Sequence, residues 1–141
     1  MSDQFPTYRA RMEYVCLGCG ERHPIDELLY TCPTCGGVFL LEDTTFDTLK
    51  AHDGAYWRNL FDSRAATRNT ALRGVFRFYE LMAPVLEQED VLYLGEGNTP
   101  VVDGAPELQK KLNASFAFKN DGQNPSASFK DRGMACAYSY L

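Results

Sequence analysis

Short apolar runs alternate with polar turns over the first forty residues. Met12 to Val15, Leu28 to Tyr30 and Val38 to Leu41 each suit a strand. Arg22-His23-Pro24 and Asp26-Glu27 lie between them and read as a polar turn region. From Thr44 to Leu94 the period lengthens. Trp57, Leu60 and Phe61 fall at helical spacing, and Val75, Phe78, Tyr79 and Met82 follow i, i+3, i+4 and i+7, a helix that Pro84 ends. Val91 to Leu94 then predicts a strand, and Gly95-Glu96-Gly97-Asn98-Thr99-Pro100 a turn-rich loop in which glycine N–H groups could meet a phosphate. Asp103 and Pro106 suit the start of a short helix with Leu108 and Leu112 facing inward. Ser115 to Lys119 reads as a strand with Phe116 and Phe118 on one face. After the loop Asn120 to Pro125, a last helix carries Met134, Ala137, Tyr138 and Leu141 at helical spacing. The pattern is α/β, with short strands crowded at the N-terminus.

Composition narrows the class. Hydrophobic residues make up 45% of the 141 residues and charged residues 23%, enough apolar side chain to exclude disorder as the main state. The formal net charge of −5 argues against a general nucleic-acid binder. No run of roughly 18 apolar residues offers a membrane span. Met1 to Arg11 lack the apolar core of a signal peptide, so a cytoplasmic location is expected.

Four of the five cysteines form two C-x-x-C pairs, Cys16/Cys19 and Cys32/Cys35. Two thiolates that close can bind one ion if the backbone turns tightly between them. Gly20 and Gly36 supply the positive φ such a turn needs, and Pro33 presets its other corner. Two knuckles together make a four-sulfur site, the usual home of structural zinc. Disulfides, an iron site and a decayed site are weaker rivals, and a thioredoxin-type redox pair would need one C-x-x-C. A closed four-thiolate set leaves no open position, so the metal is expected to be structural. His23 is a candidate extra ligand but reads better as an exposed turn residue. His52 reads as a surface residue at a helix end, and Cys136 as a buried free thiol. Arg64, Arg68, Arg73 and Arg77 read as a solvated basic face.

Ser128 and Asp131 form an S-x-x-D capping box, which places Lys130 in the first turn of the last helix. The positive end of the helix dipole disfavours an ammonium there, and a neutral amine can attack a carbonyl. Taken alone, Lys130 reads more readily as an ordinary exposed lysine. The segment Asn124-Pro125-Ser126-Ala127-Ser128-Phe129-Lys130-Asp131-Arg132-Gly133, however, closely resembles the pyridoxal-phosphate (PLP) lysine motif of the threonine synthases, N-P-T-G-S-F-K-D-R-G. Ser126 stands for Thr and Ala127 for Gly. Leu94 to Pro100 is similar to the family's L-G-E-G-x-T-P segment, and a subset of the family carries cysteine pairs ahead of the catalytic domain.

The resemblance implies a tryptophan-synthase-β (fold-type II) PLP enzyme with Lys130 as the residue that forms the Schiff base, Phe129 packing near the cofactor, and Asp131 and Arg132 in structural roles. The implied reaction takes O-phospho-L-homoserine and water to L-threonine and phosphate. It also implies a zinc-ribbon-like module over residues 1–43, followed by the incomplete opening of the catalytic domain over 44–141. The family's glycine-rich PLP-phosphate loop has no counterpart here, so the chain is expected to be an N-terminal fragment that is inactive alone and homodimeric at full length. The rival expectations are cysteate synthase, another fold-type II PLP lyase, or a non-enzymatic zinc-ribbon binding module.

Overall fold

The computed structural model describes residues 3–141. Nine regular elements follow one another: β1 (Met12–Cys16), β2 (Arg22–Pro24), β3 (Phe39–Asp43), α1 (Gly54–Ser63), α2 (Tyr79–Met82), β4 (Val101–Asp103), α3 (Pro106–Leu112), β5 (Ala117–Lys119) and α4 (Lys130–Tyr140), with short 3₁₀ turns between them. The architecture is mixed α/β, built on two small antiparallel sheets.

The first sheet has the order β2-β1-β3, with Tyr14 opposite both His23 and Leu41. Its middle strand is the expected one. The expected strand at Leu28 to Tyr30 is absent, and Arg22–Pro24, expected as a turn, takes the edge position instead. Leu28 and Tyr30 project into solvent, and their backbone is folded back on itself by a bond from the Leu29 N–H to the Glu27 carbonyl. Pro24, which has no N–H to give a ladder, closes β2 at the sheet edge.

The main core gathers Leu72, Val75, Phe76, Tyr79, Ala83, Leu86 and Ala135. The helix expected over Val75 to Met82 is split: a 3₁₀ stretch from Gly74 to Phe78 runs into the single turn of α2. The tighter winding shifts the buried face. Phe76 becomes fully buried, while Phe78 and Met82 turn outward. Tyr79 is also fully buried; its hydroxyl donates to the Leu86 carbonyl at 2.9 Å, and burial pushes it up to about 12. Arg64, expected on a solvated face, is 4% exposed and bonds Glu80 through two N–H groups at 2.6 and 2.8 Å. Burying such a charge is tolerable only with this paired geometry. Arg77 is half-buried against the Phe61 carbonyl and Asp62.

α1 starts on Asp53, whose carboxylate accepts the Tyr56 N–H at 2.8 Å. His52 caps the preceding 3₁₀ turn and stacks on Tyr56, exposed as expected. α3 begins at Pro106 and ends at Asn113, which takes the left-handed conformation (φ 49°). Leu108 and Leu112 point outward, contrary to the expectation from their spacing. β4 and β5 pair Val102 with Phe118, and the Phe116 and Phe118 rings meet edge-on at 5.3 Å.

α4 buries Ala135 and Ser139, whereas Met134, Tyr138 and Leu141 face outward. Small residues let the helix approach the core closely. The Ser139 hydroxyl accepts the Leu92 N–H at 2.9 Å. That bond fastens the 91–94 segment to a helix instead of a sheet partner, which is why the strand expected there does not form. Cys136 is partly buried, and desolvation together with the charge of Glu96 raises its thiol. No helix among the described residues is long and apolar enough to cross a membrane.

Candidate functional site

The two cysteine pairs converge. The Sγ atoms of Cys16, Cys19, Cys32 and Cys35 all lie within 4.8 Å of one another, with Cys16 to Cys35 at 3.4 Å and Cys19 to Cys32 at 3.7 Å. Four thiolates around one zinc at the usual Zn–S length have edges of about 3.8 Å, so the donor set fits that ion. Gly20 (φ 77°) and Gly36 (φ 72°) follow the second cysteine of each pair in the left-handed conformation, as expected. Gly37 is needed for a different reason. A Cβ there would lie 2.9 Å from Cys16 Sγ and 3.2 Å from Cys35 Sγ, inside the cradle.

His23 is placed differently from its expected turn. It lies on β2 with its side chain only 14% exposed, and its Nε2 is 3.8 Å from Cys32 Sγ. Desolvation pushes the Cys32 thiol up, but the Cys35 N–H, the His23 ring and the Thr34 N–H together bring it down to about 6. Cys19 is pushed up to about 12: the Glu21 N–H favours its thiolate, but desolvation and the three neighbouring sulfurs outweigh it. Cys16 and Cys32 are thus held down while Cys19 and Cys35 are pushed up by their sulfur neighbours, a repulsion that a bound cation would relieve.

The second cluster joins two loops to the base of α4. Asp121 accepts from both terminal nitrogens of Arg132 at 2.7 Å and from the Thr99 hydroxyl at 2.8 Å. Arg132 also reaches Thr99 Oγ1 at 3.0 Å, and Lys119 bonds the Thr99 carbonyl. Buried Asn124 accepts the Gly97 N–H at 2.9 Å and donates to the Asp121 carbonyl at 2.9 Å. Glu96 is 1% exposed; one of its oxygens accepts the Leu94 N–H, and the other has no partner. The glycine loop therefore spends its Gly97 N–H internally, and that N–H is not offered to a phosphate. The sequence reading assigned no role to Asp121, Thr99 or Asn124. The density of short polar side chains in Asn120 to Asn124 was the available signal.

Arg132 holds Asp121 down to about 2, well under the usual 3.8, with Thr99 helping. A carboxyl lowered on folding contributes stability that is complete above its unfolded value and is lost as pH falls toward the folded one. The clamp should therefore hold down to about pH 4 and open toward pH 2. An NMR titration of the Asp121 carboxyl should show this low midpoint in the native protein, and Arg132→Gln should return it toward 3.8. An unchanged midpoint in the variant would contradict the pairing.

Lys130 is the first residue of α4, as expected. The cap is built otherwise than the S-x-x-D spacing suggests. Ser128 Oγ accepts the Lys130 N–H at 3.2 Å, but Asp131 accepts from the Ser126 N–H and hydroxyl, not from the Ser128 N–H. The reason is Ala127, which adopts φ 58° and folds Ser126 over the helix start. A non-glycine residue pays about 1–2 kcal/mol for that conformation. Ala127→Gly should thus stabilise the folded chain by about 0.5–1 kcal/mol, after the added flexibility of the unfolded chain is subtracted. Denaturant melting measures the difference, and a loss of stability would show that the turn does not carry this strain.

The Lys130 side chain is exposed, and its ammonium has no hydrogen bond or ion pair among the described residues. Phe129 beside it is 67% exposed. Its amine is unencumbered at the positive end of a helix, which fits attack on a carbonyl cofactor.

These features define a chain with a four-thiolate ribbon at one end and a lysine-bearing α/β segment at the other. No family model matches it. Individual proteins do. It is 34% identical over 120 residues to threonine synthase of Methanocaldococcus jannaschii, covering 84% of this chain and 26% of the relative. It is 31% identical over 123 residues to Threonine synthase 2, chloroplastic, of Arabidopsis thaliana (86% and 23%) and 32% over 120 residues to threonine synthase of Methanosarcina acetivorans (84% and 25%). The chain is therefore a sequence relative of the threonine synthases, and it spans about a quarter of their length.

Proposed function

We propose that this chain is the N-terminal part of a PLP-dependent threonine synthase of fold-type II, acting in the cytoplasm on O-phospho-L-homoserine. We assign residues 1–43 to a zinc ribbon held by Cys16, Cys19, Cys32 and Cys35, and 44–141 to the opening of the catalytic domain. The observation that carries the reading is the clamp of Arg132, Asp121 and Thr99. It brings the two segments of family-like sequence, Leu94 to Pro100 and Asn124 to Gly133, into one hydrogen-bonded unit under an uncommitted lysine.

When bound, PLP supplies an electron sink for charge that develops at the substrate's Cα and Cβ. The chain's residues do the rest. Lys130 Nζ would hold the cofactor, with Phe129 as the adjacent ring. Once displaced by substrate, Lys130 Nζ takes up and returns protons at Cα and Cβ. Arg132 and Asp121 keep the start of α4 in place beneath that amine. Phosphate departs from Cγ and water adds at Cβ.

The full-length protein should form threonine and phosphate in equal amounts from O-phospho-L-homoserine, and no cysteate from phosphoserine and sulfite. The opposite selectivity would assign it to cysteate synthesis. Failure with both substrates would favour a binding module built on the ribbon.

A further inference from the structure

A second set of metal-ligating side chains lies against the sulfur cluster. Glu21 follows the turn of the first cysteine pair, and its backbone carbonyl accepts the Cys16 N–H at 2.8 Å, which fixes it there. His23, two residues on, points to the same side of the chain, because side chains alternate along the edge strand β2. Its ring packs edge-on against Phe39 at 5.5 Å. Cys32 comes from the second cysteine pair and is buried. The three donor atoms converge. His23 Nε2 lies 3.8 Å from Cys32 Sγ and 3.7 Å from Glu21 Oε2, and that oxygen lies 3.9 Å from the same sulfur. The Thr34 hydroxyl donates to Glu21 and orients its carboxylate.

This spacing suits an ion better than it suits hydrogen bonds. At 3.7 Å the ring nitrogen and the carboxylate are too far apart to share a proton. Nitrogen, oxygen and sulfur ligands around one tetrahedral zinc stand about 3.3–3.6 Å apart. The observed gaps are slightly wider, a difference that the exposed Glu21 side chain can close. Charge favours a cation as well. Four thiolates around one divalent ion keep two negative charges in excess, and Glu21 adds another beside them. Arg22, between Glu21 and His23, lies on the opposite side of β2 and is taken by Glu13 and Glu42.

We propose, on the zinc-ribbon reading above, that Glu21, His23 and Cys32 bind a second divalent cation of the zinc class, with the Cys32 sulfur shared between the two ions. A thiolate bound to one zinc keeps lone pairs for another. The four-cysteine site is closed, whereas this one has three protein ligands and an open fourth position for water. It also lies on the solvent side of the cluster, where Glu21 is exposed. The second ion is therefore held more weakly than the first and is lost on purification.

The test is a zinc titration of the full-length protein, starting from material that holds about one zinc per chain. A second equivalent should bind saturably, and the NMR signals of the His23 ring should shift with it. His23→Phe keeps a ring against Phe39 and removes the nitrogen, while Glu21→Ala removes an exposed carboxylate. Each variant should lose the second equivalent and keep the first, with the amide signals of β1 to β3 unchanged. Absence of a second equivalent in the unaltered protein, or its survival in both variants, would overturn the site. A chain that takes up no zinc at all would instead overturn the ribbon reading, and the shared sulfur with it.

Discussion

Replacing Lys130 by alanine in the full-length protein should abolish the visible absorbance of lysine-bound PLP and reduce threonine formation by about a thousandfold or more. The size follows from chemistry. In the proposed reaction the amine is at once the attachment point and the proton carrier. Among the described residues the nearest cations on the same loop and helix, Lys119 and Arg132, are engaged with Thr99 and Asp121. Lys130→Arg should fail equally, because a guanidinium stays protonated and cannot attack a carbonyl. The absorbance spectrum and a threonine assay check both variants. An intact PLP band in Lys130→Ala would move the attachment to another lysine. Circular dichroism should be unchanged, since the Lys130 side chain is exposed and touches no core residue.

Metal removal should have the second large effect. Purified protein should contain about one zinc per chain. A strong chelator, or Cys32→Ser, should dissolve the three-stranded sheet over residues 12–43. Between Met12 and Asp43 the only buried residues are Cys16 and Cys32. The hydrophobic side chains Leu17, Leu28, Tyr30, Val38, Leu40 and Leu41 are all at least half exposed. Apolar packing in this sheet is confined to half-buried side chains such as Tyr14 against Phe39, so a bound ion is expected to supply most of its folding energy; small zinc modules gain about 10–16 kcal/mol from theirs. Loss of the amide signals of β1 to β3 on chelation, with those of the core around Tyr79 retained, is the expected NMR result. A sheet that persists without metal would refute the assignment.

The parts legible in the sequence were those set by short-range chemistry. The C-x-x-C spacing, with a glycine after each pair, gave the four-sulfur cluster because two residues and one left-handed glycine suffice to aim both thiols. Pro106 and the Ser128-Phe129-Lys130 run gave two helix starts. What failed depended on partners distant in sequence. Val91 to Leu94 has the composition of a strand, but its N–H at Leu92 is taken by Ser139, 47 residues away. Val75 to Met82 has helical spacing, yet the 3₁₀ start at Gly74 rotates Phe76 inward. In α4 the stripe of large residues was the outward one, because the core accepts Ala135 and Ser139 at close range. The place of Lys130 at the start of α4 was readable from its motif, while Asp121 and Asn124 gain their contacts only when two loops meet. His23 shows the same limit. As a lone histidine beside a proline it reads as a turn, and only pairing with Tyr14 on β1 carries it to the sulfur cluster.

The far end of α4 has a mechanical consequence. The hydroxyl of Tyr140 donates to the carbonyl of Ile25, just past β2, in the loop between the two cysteine pairs. Lys130 begins the same helix, which at 11 residues is about 16 Å long. A stiff rod of that length is thus tied to the four-cysteine module at one end and carries Lys130 at the other. A displacement of the Ile25 loop would therefore reach Lys130 along the helix axis. The sheet that bears the cysteines is thus a footing for the helix that Lys130 begins.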